Sequence, residues 1–317
     1  MKSLLLAIDI GTSGAKLLLL DASTGKTDSV TVSYPTSSPM PGYAEQNPEG
    51  WWQAVQSGIP ALLASAGRSA DEIAAIGIDS VSWTPVLLNK AGKVLSSAPL
   101  WYDTRSGKEC EKLSEYAEKA FLVSGNPMQP YYLLPKIKWF AANRPEVLAE
   151  TAHILSGNGF IGYRLTGTMT QDECQGYGWC FFDMAKGEYD ATFAEELGFD
   201  LSLLPDICKC TDIIGTVTPD AARACGLVSG IPVVAGGLDA ACGAVGAGVY
   251  EPGAIHEQSG SAGGMSICTD TCPSSMTSRS EDCVLGDVRL ISSASTICAN
   301  TAPSRYSMWL VLKSMYV

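Results

Sequence analysis

Two short runs of small residues and two aspartates hold the chemistry this sequence could do. Gly11-Thr12-Ser13-Gly14 and Gly260-Ser261-Ala262-Gly263 are turns of residues with little or no side chain. Glycine lets a backbone approach a ligand closely, neighbouring N–H groups can then converge, and Ser or Thr adds a hydroxyl donor. That is the make-up of a phosphate cradle, although neither run has the form G-x-x-x-x-G-K-[ST] and either one alone reads as a plain hairpin turn. Asp9 directly precedes the first run, at the end of an apolar stretch. A carboxylate beside a phosphate is repelled unless a cation bridges them, so Asp9 is the candidate partner of Mg²⁺. Its plainer role is to cap its own turn. Asp239 follows a second apolar stretch and Gly236-Gly237. Ligand sites in α/β proteins lie at the carboxyl ends of strands, and an alcohol attacking phosphorus needs a base to take its proton. Asp239 can be that base and a helix N-cap at once.

The elements that must position these residues are legible in outline. Residues 3–10 and 17–20 are apolar runs, and residues 29–34 alternate, with turn chemistry at 21–26. Together they predict an antiparallel meander of three strands. Asn47-Pro48-Glu49 starts a helix on which Trp51 and Trp52 read as core residues. Strands are expected at 73–78 and 86–88, helices at 108–124, 135–143 and 145–150, and a short helix at 219–225. Residues 230–237 read as a buried strand ending in a glycine turn, followed by a helix over 240–248. Strands alternating with helices make the chain α/β. Residues 254–255, the second glycine run and residues 265–268 repeat the strand–turn–strand pattern of the opening. Such an echo implies two related domains facing each other, with a boundary near 243–251.

Four segments stand in a telling order: Asp9-Ile10-Gly11-Thr12-Ser13-Gly14-Ala15-Lys16, Glu45-Gln46-Asn47-Pro48-Glu49-Gly50-Trp51-Trp52, Leu100-Trp101-Tyr102-Asp103-Thr104-Arg105, and the run from Val233 to Gly246. Together they resemble the FGGY carbohydrate kinases, most of all the xylulokinase-type members, over residues 1–301. The resemblance implies an α/β, actin-like ATPase (ribonuclease-H-like) fold with a sugar cleft between two domains. Residues 1–245 would be the complete sugar-binding domain and 246–317 the start of a nucleotide-binding domain. It implies transfer of the γ-phosphoryl of ATP, with Mg²⁺, to a hydroxyl of a pentulose or related sugar. Asp239 resembles the family's general base and Asp9 its metal-associated carboxylate. Gly11, Thr12 and Ser13 resemble the first phosphate loop, and Gly260 and Ser261 the second. Glu45, Gln46, Asp103 and Arg105 lie in motifs that shape the cleft floor, although Asp103 and Arg105 could pair with each other instead. Where xylulokinases carry Gln-Met-His-Gly, this chain has Val81-Ser82-Trp83-Thr84, so Trp83 becomes the candidate pocket wall and the sugar stays unnamed. Lys136-Ile137-Lys138-Trp139 matches part of the family's signature there. The glycine-rich adenine-binding segment is not found, and residues 303–317 resemble nothing in the family, as expected of a truncation or a shifted frame.

The bulk properties fit that reading. The chain has 317 residues, 46% of them hydrophobic, enough for a sizeable core, and a net charge of -12. Such acidity argues against nucleic-acid partners and anionic membranes. The apolar N-terminal run is too short for a signal peptide and no apolar stretch reaches about 20 residues, so a cytoplasmic protein is expected. Eleven cysteines are scattered without paired C-x-x-C spacing, and His153 and His256 are the only histidines. They are expected to be reduced, mostly buried small hydrophobes. A small-molecule sugar is the expected partner, and a homodimer is left open. Two rival readings are an inactive kinase remnant and a non-enzymatic actin-like module.

Overall fold

A computed structural model describes residues 2–259 and 263–268. The predicted meander forms: β1 (Leu4–Ile10), β2 (Gly14–Asp21) and β3 (Thr27–Ser33) pair antiparallel in sequence order. β1 is apolar almost throughout and buried on both faces, whereas β3 alternates and closes one end of the sheet. Helix α1 (Pro48–Ala66) begins where Asn47 accepts a hydrogen bond from the Glu49 N–H at 3.1 Å, with Pro48 in its first turn. It stops at Gly67, whose φ is 62°. Trp51, Val55, Ile59 and Leu62 form its buried stripe against β2 and β3.

Next in the sheet, β4 (Ile73–Ser80) runs parallel to β1. Further along the chain come α2 (Leu133–Asn143), α3 (Gly157–Thr166), β5 (Ile213–Thr216), α4 (Pro219–Cys225), β6 (Pro232–Val234), β7 (Gly237–Leu238) and α5 (Asp239–Gly246). Among the described residues the central sheet has seven strands in the order β5-β6-β4-β1-β2-β3, and β7 resumes beside β4 after β6. The main core lies between one face of this sheet and α1, α3 and α4. A second core, rich in aromatics, gathers Trp139 and Phe140 of α2 with Trp179, Phe181, Phe193 and Phe199.

Two expectations needed revision. The helix expected at 108–124 is broken into Gly107–Lys112 and Ala117–Ser124 by a 3-10 turn. Leu113 is buried at the break while Ser114 and Glu115 are exposed, so one straight helix would not serve both. The strand His153–Leu155 and helix α3 were not foreseen. Three glycines hide α3 from propensity, and packing explains them. A Cβ on Gly157 would lie 2.8 Å from Ser80 Oγ, and one on Gly162 would lie 2.7 Å from Ile214 Cδ1. The helix therefore sits closer to the sheet than side chains would allow. Past α5, β8 (Ile255–Ser259) and β9 (Gly263–Ile267) pair antiparallel as the internal echo predicts. Gly260 and Ser261, between them, lie outside the described residues. Among the described residues no helix is long and apolar enough to cross a membrane.

Candidate active site

The strand register brings three carboxylates together. Asp9 of β1 stands beside Asp79 of β4, and Asp79 beside Gly237 of β7. Asp239, the first residue of α5, comes two positions later. All three sit where β1 and β4 end, the place where α/β sheets bind ligands. Asp9 and Asp239 keep part of their surface open, but Asp79 is wholly buried.

Crowded carboxyls cannot all ionise cheaply. Burial, then the charges of Asp9 and Asp239, push the Asp79 pKa well up, and its hydrogen bond with Asp9 adds to this. Asp79 thus keeps its proton and gives it to that bond; among the described residues no N–H or other hydroxyl reaches either of its oxygens. Asp9 is raised by burial, offset by that hydrogen bond and by the charge of Lys16 opposite it on β2. Asp239 is pushed up to about 7, chiefly by burial and then by Asp9, against the Ala240 N–H that donates to its Oδ1 at 2.7 Å. A carboxyl that titrates near neutrality is suited to take a proton at working pH.

The first glycine run is tied down by its carbonyls. Tyr34 Oη donates to Gly11 O at 2.6 Å, and Gln46 Nε2 donates to Thr12 O at 2.7 Å. Trp101 Nε1 reaches Thr12 Oγ1 at 3.2 Å. Gly14 is needed for close approach, since a Cβ there would lie 2.7 Å from Val32 O. The turn therefore begins beside Asp9 and is braced by two of the segments singled out in the sequence.

Those segments contribute more support than binding surface. Asp103 is 0% exposed. Its Oδ2 accepts from the Ala44 N–H at 2.6 Å and from Arg105 Nη2 at 2.8 Å. Arg105 Nη2 also reaches Glu45 Oε2 at 2.6 Å, and the guanidinium lies 4.0 Å from the Tyr43 ring centre. The geometry favours the ion-pair reading of Asp103 over the sugar-ligand one. Gln46 is likewise buried and spends both amide hydrogens on Thr12 and Thr36, while its Oε1 accepts from Trp51 Nε1 at 2.9 Å. Glu45 keeps part of its surface open. Arg105→Lys keeps the charge but loses the fork, so it should cost about 1–2 kcal/mol in urea unfolding. A loss below a few tenths would show that the fork is dispensable.

Trp83 has the left-handed φ of 49°, rare outside glycine. Its ring stacks near-parallel on Tyr131 at 6.0 Å and touches Tyr132 at 4.4 Å. It borders a small cavity, with room for about one water, shared with Thr84, Gln171, Gln175 and Trp179. Lys136, fully buried, donates to the carbonyls of Trp83 at 2.7 Å and Leu100 at 2.8 Å, so the Trp83 loop and the 100–105 segment are joined. Burial pulls the Lys136 pKa down to about 7, opposed by the Asp103 carboxylate.

Reading the sequence missed Asp79, the role of Lys136, and a polar layer behind β4. In that layer Asn158 Nδ2 donates to Asp172 Oδ2 at 2.8 Å, and Gln175 Nε2 donates to Ser80 O at 3.2 Å. A signal for Asp79 was present: β1 and β4 both run apolar and carry Ile-Asp just before their last residue, Ile8-Asp9 and Ile78-Asp79. The carboxyl trio offers only hard oxygen donors, two of them on a buried carboxyl that no N–H of the described residues reaches, which suits Mg²⁺.

Comparison with known proteins agrees with this geometry. Residues 4–246 match the FGGY family of carbohydrate kinases, N-terminal domain. Xylulose kinase of Escherichia coli (strain K12) is 31% identical over 246 residues, which is 78% of this chain and 50% of that protein. Xylulose kinase of Bacillus subtilis is 28% identical over 249 residues, again 50% of its length. Among solved structures, xylulose kinase from Rhodospirillum rubrum superposes with a TM-score of 0.79 at 26% identity, covering 85% of this chain and 56% of that one. The chain thus spans about half the length of the curated relatives it matches. With the actin-like sheet, the aspartates at its strand ends and a family match over most of the chain, the protein belongs to the FGGY carbohydrate kinases and contains their N-terminal domain.

Proposed function

We propose that this chain is the sugar-binding part of an ATP-dependent kinase that phosphorylates a hydroxyl of a pentulose or related sugar. The observation that carries the reading is Asp239: a partly open carboxyl with a pKa of about 7, near enough to Asp9 to be raised by its charge, at the strand ends where the first glycine turn begins. In this reading Asp239 accepts the proton of the attacking hydroxyl. The Thr12 and Ser13 amides and hydroxyls hold phosphate oxygens, Gly11 closes the turn by donating its N–H to Gly14 O at 3.1 Å, and Asp9 associates with Mg²⁺, which when bound neutralises phosphate charge. Glu45 and Trp83 are the remaining candidates for contact with the sugar, and Gly260 and Ser261 for the second phosphate loop. The nucleotide-binding part would begin near residue 246.

The test is a thermal-shift screen of the purified chain against ketopentoses, aldoses and polyols, with an ADP assay alongside. A sugar at ten times its Kd adds about 1.4 kcal/mol of stability. For a domain of this size that is a rise of about 3–6 °C. The expected hit is a ketopentose, with ADP formation at background because the matched region is half of a whole kinase. No shift with any sugar would remove the reading.

A further inference from the structure

Scattered along the sequence, the cysteines show no metal pattern, but folding gathers two of them. The ligand atoms of Asp172, Cys174 and Cys210 all lie within 4.8 Å of one another. Asp172 caps the short helix Glu173–Gly176 and Cys174 lies in that helix, while Cys210 arrives from a loop far along the chain. Cys210 Sγ is 3.9 Å from Asp172 Oδ1. We propose that these three side chains form a site for a thiophilic divalent cation of the zinc or cadmium class, separate from the carboxyl trio.

The Cys210–Asp172 pair needs little adjustment. Tetrahedral zinc, with bonds of about 2.3 Å to sulfur and about 2.0 Å to oxygen, places a sulfur and an oxygen ligand about 3.5 Å apart. The Cys210–Asp172 pair would have to close by only a few tenths of an ångström. Asp172 is held in place as metal-bound carboxylates are: Asn158 Nδ2 donates to its Oδ2 at 2.8 Å and the Gln175 N–H to its Oδ1 at 2.7 Å. Asp172 and Cys174 are buried, whereas Cys210 is partly exposed and offers a way in. Both thiols would lose their protons to solvent as the cation binds, and water would fill the fourth position. The cluster packs directly on Gly237, where a Cβ would lie 3.1 Å from Cys174 Cβ and 3.4 Å from Cys210 Sγ. Occupancy would therefore be felt two residues from Asp239.

Cobalt(II) titration of the full chain, kept reduced with a phosphine, tests this without any assay of activity. A near-ultraviolet thiolate-to-cobalt absorption should grow to saturation, and zinc should displace it. Cys174→Ser/Cys210→Ser should remove one equivalent of that binding. Asp172→Asn should weaken it about tenfold or more. If the double variant misfolds by circular dichroism, Cys210→Ser alone, at the partly exposed position, should still lower the affinity. Unchanged stoichiometry and affinity in a folded cysteine variant, or no thiolate absorption in the parent chain, would overturn the site.

Discussion

Asp239→Asn should melt several degrees higher than the parent chain at pH 8 and nearly unchanged at pH 4. Asp239 titrates at about 7 in the folded protein against an ordinary 3.8. Its protonated form is thus favoured by folding. The stability this contributes is complete below about pH 4 and is lost as pH rises through about 7. A shift of about three units corresponds to about 4 kcal/mol. Because the carboxyl is partly open to water, screening reduces the expected gain at pH 8 to about 2 kcal/mol, or about 4–8 °C. Asparagine keeps the Oδ1 that accepts from Ala240 N–H, so only the charge is removed. Melting curves across pH 4 to 8 check this. An equal shift at both ends would point to packing, and a loss at pH 8 would mean that Asp239 is not held at a cost. A gain confined to high pH would make the proposed base a group whose ionisation works against the fold, a familiar cost at catalytic positions.

Gly236→Ala should be the most damaging single methyl in the described core. Gly236 has φ of 65°, a conformation that costs other residues about 1–2 kcal/mol. Its added Cβ would lie 1.5 Å from the carbonyl oxygen of Ile78 in β4. That oxygen is backbone in the middle of the sheet, so relief requires β4 or the 234–237 bend to move. The expected loss is about 4 kcal/mol or more, which lowers the melting midpoint by about 8–16 °C. Urea unfolding with an unchanged slope would measure it. A loss under about 1 kcal/mol would mean that the bend is looser than described. The same bend separates β6 from β7 and so sets where Asp239 falls relative to Asp79.

The parts of this fold that were legible before the coordinates are those where local chemistry and tertiary packing agree. The three-strand meander, the Asn47-capped helix and the short helix Pro219–Cys225 each announce themselves by apolar period and cap residues. Helix α3 did not, because Gly157 and Gly162 serve contacts with the sheet, and Gly159 a close approach to the Thr170 carbonyl, at the expense of helix propensity. The same division holds in the site. Asp9 and Asp239 stand beside glycine turns and could be read from their neighbours in sequence. Asp79 acquires its meaning only from register, by lying between Asp9 and Gly237 across two strand pairs. Gln46 and Asp103 were expected at the cleft floor as sugar contacts, but their buried hydrogen bonds give them the task of bracing the neighbouring loops.

One proton deserves a last thought, the one Asp79 shares with Asp9. If Mg²⁺ is held at Asp9 as proposed and Asp79 also serves as a ligand, its binding would have to evict that proton. Loading would then acidify an unbuffered solution, and the apparent affinity would climb as the medium becomes more alkaline. If the proposed Mg²⁺ site is used, the resting protein would carry a small, removable cation of its own where the larger one would sit.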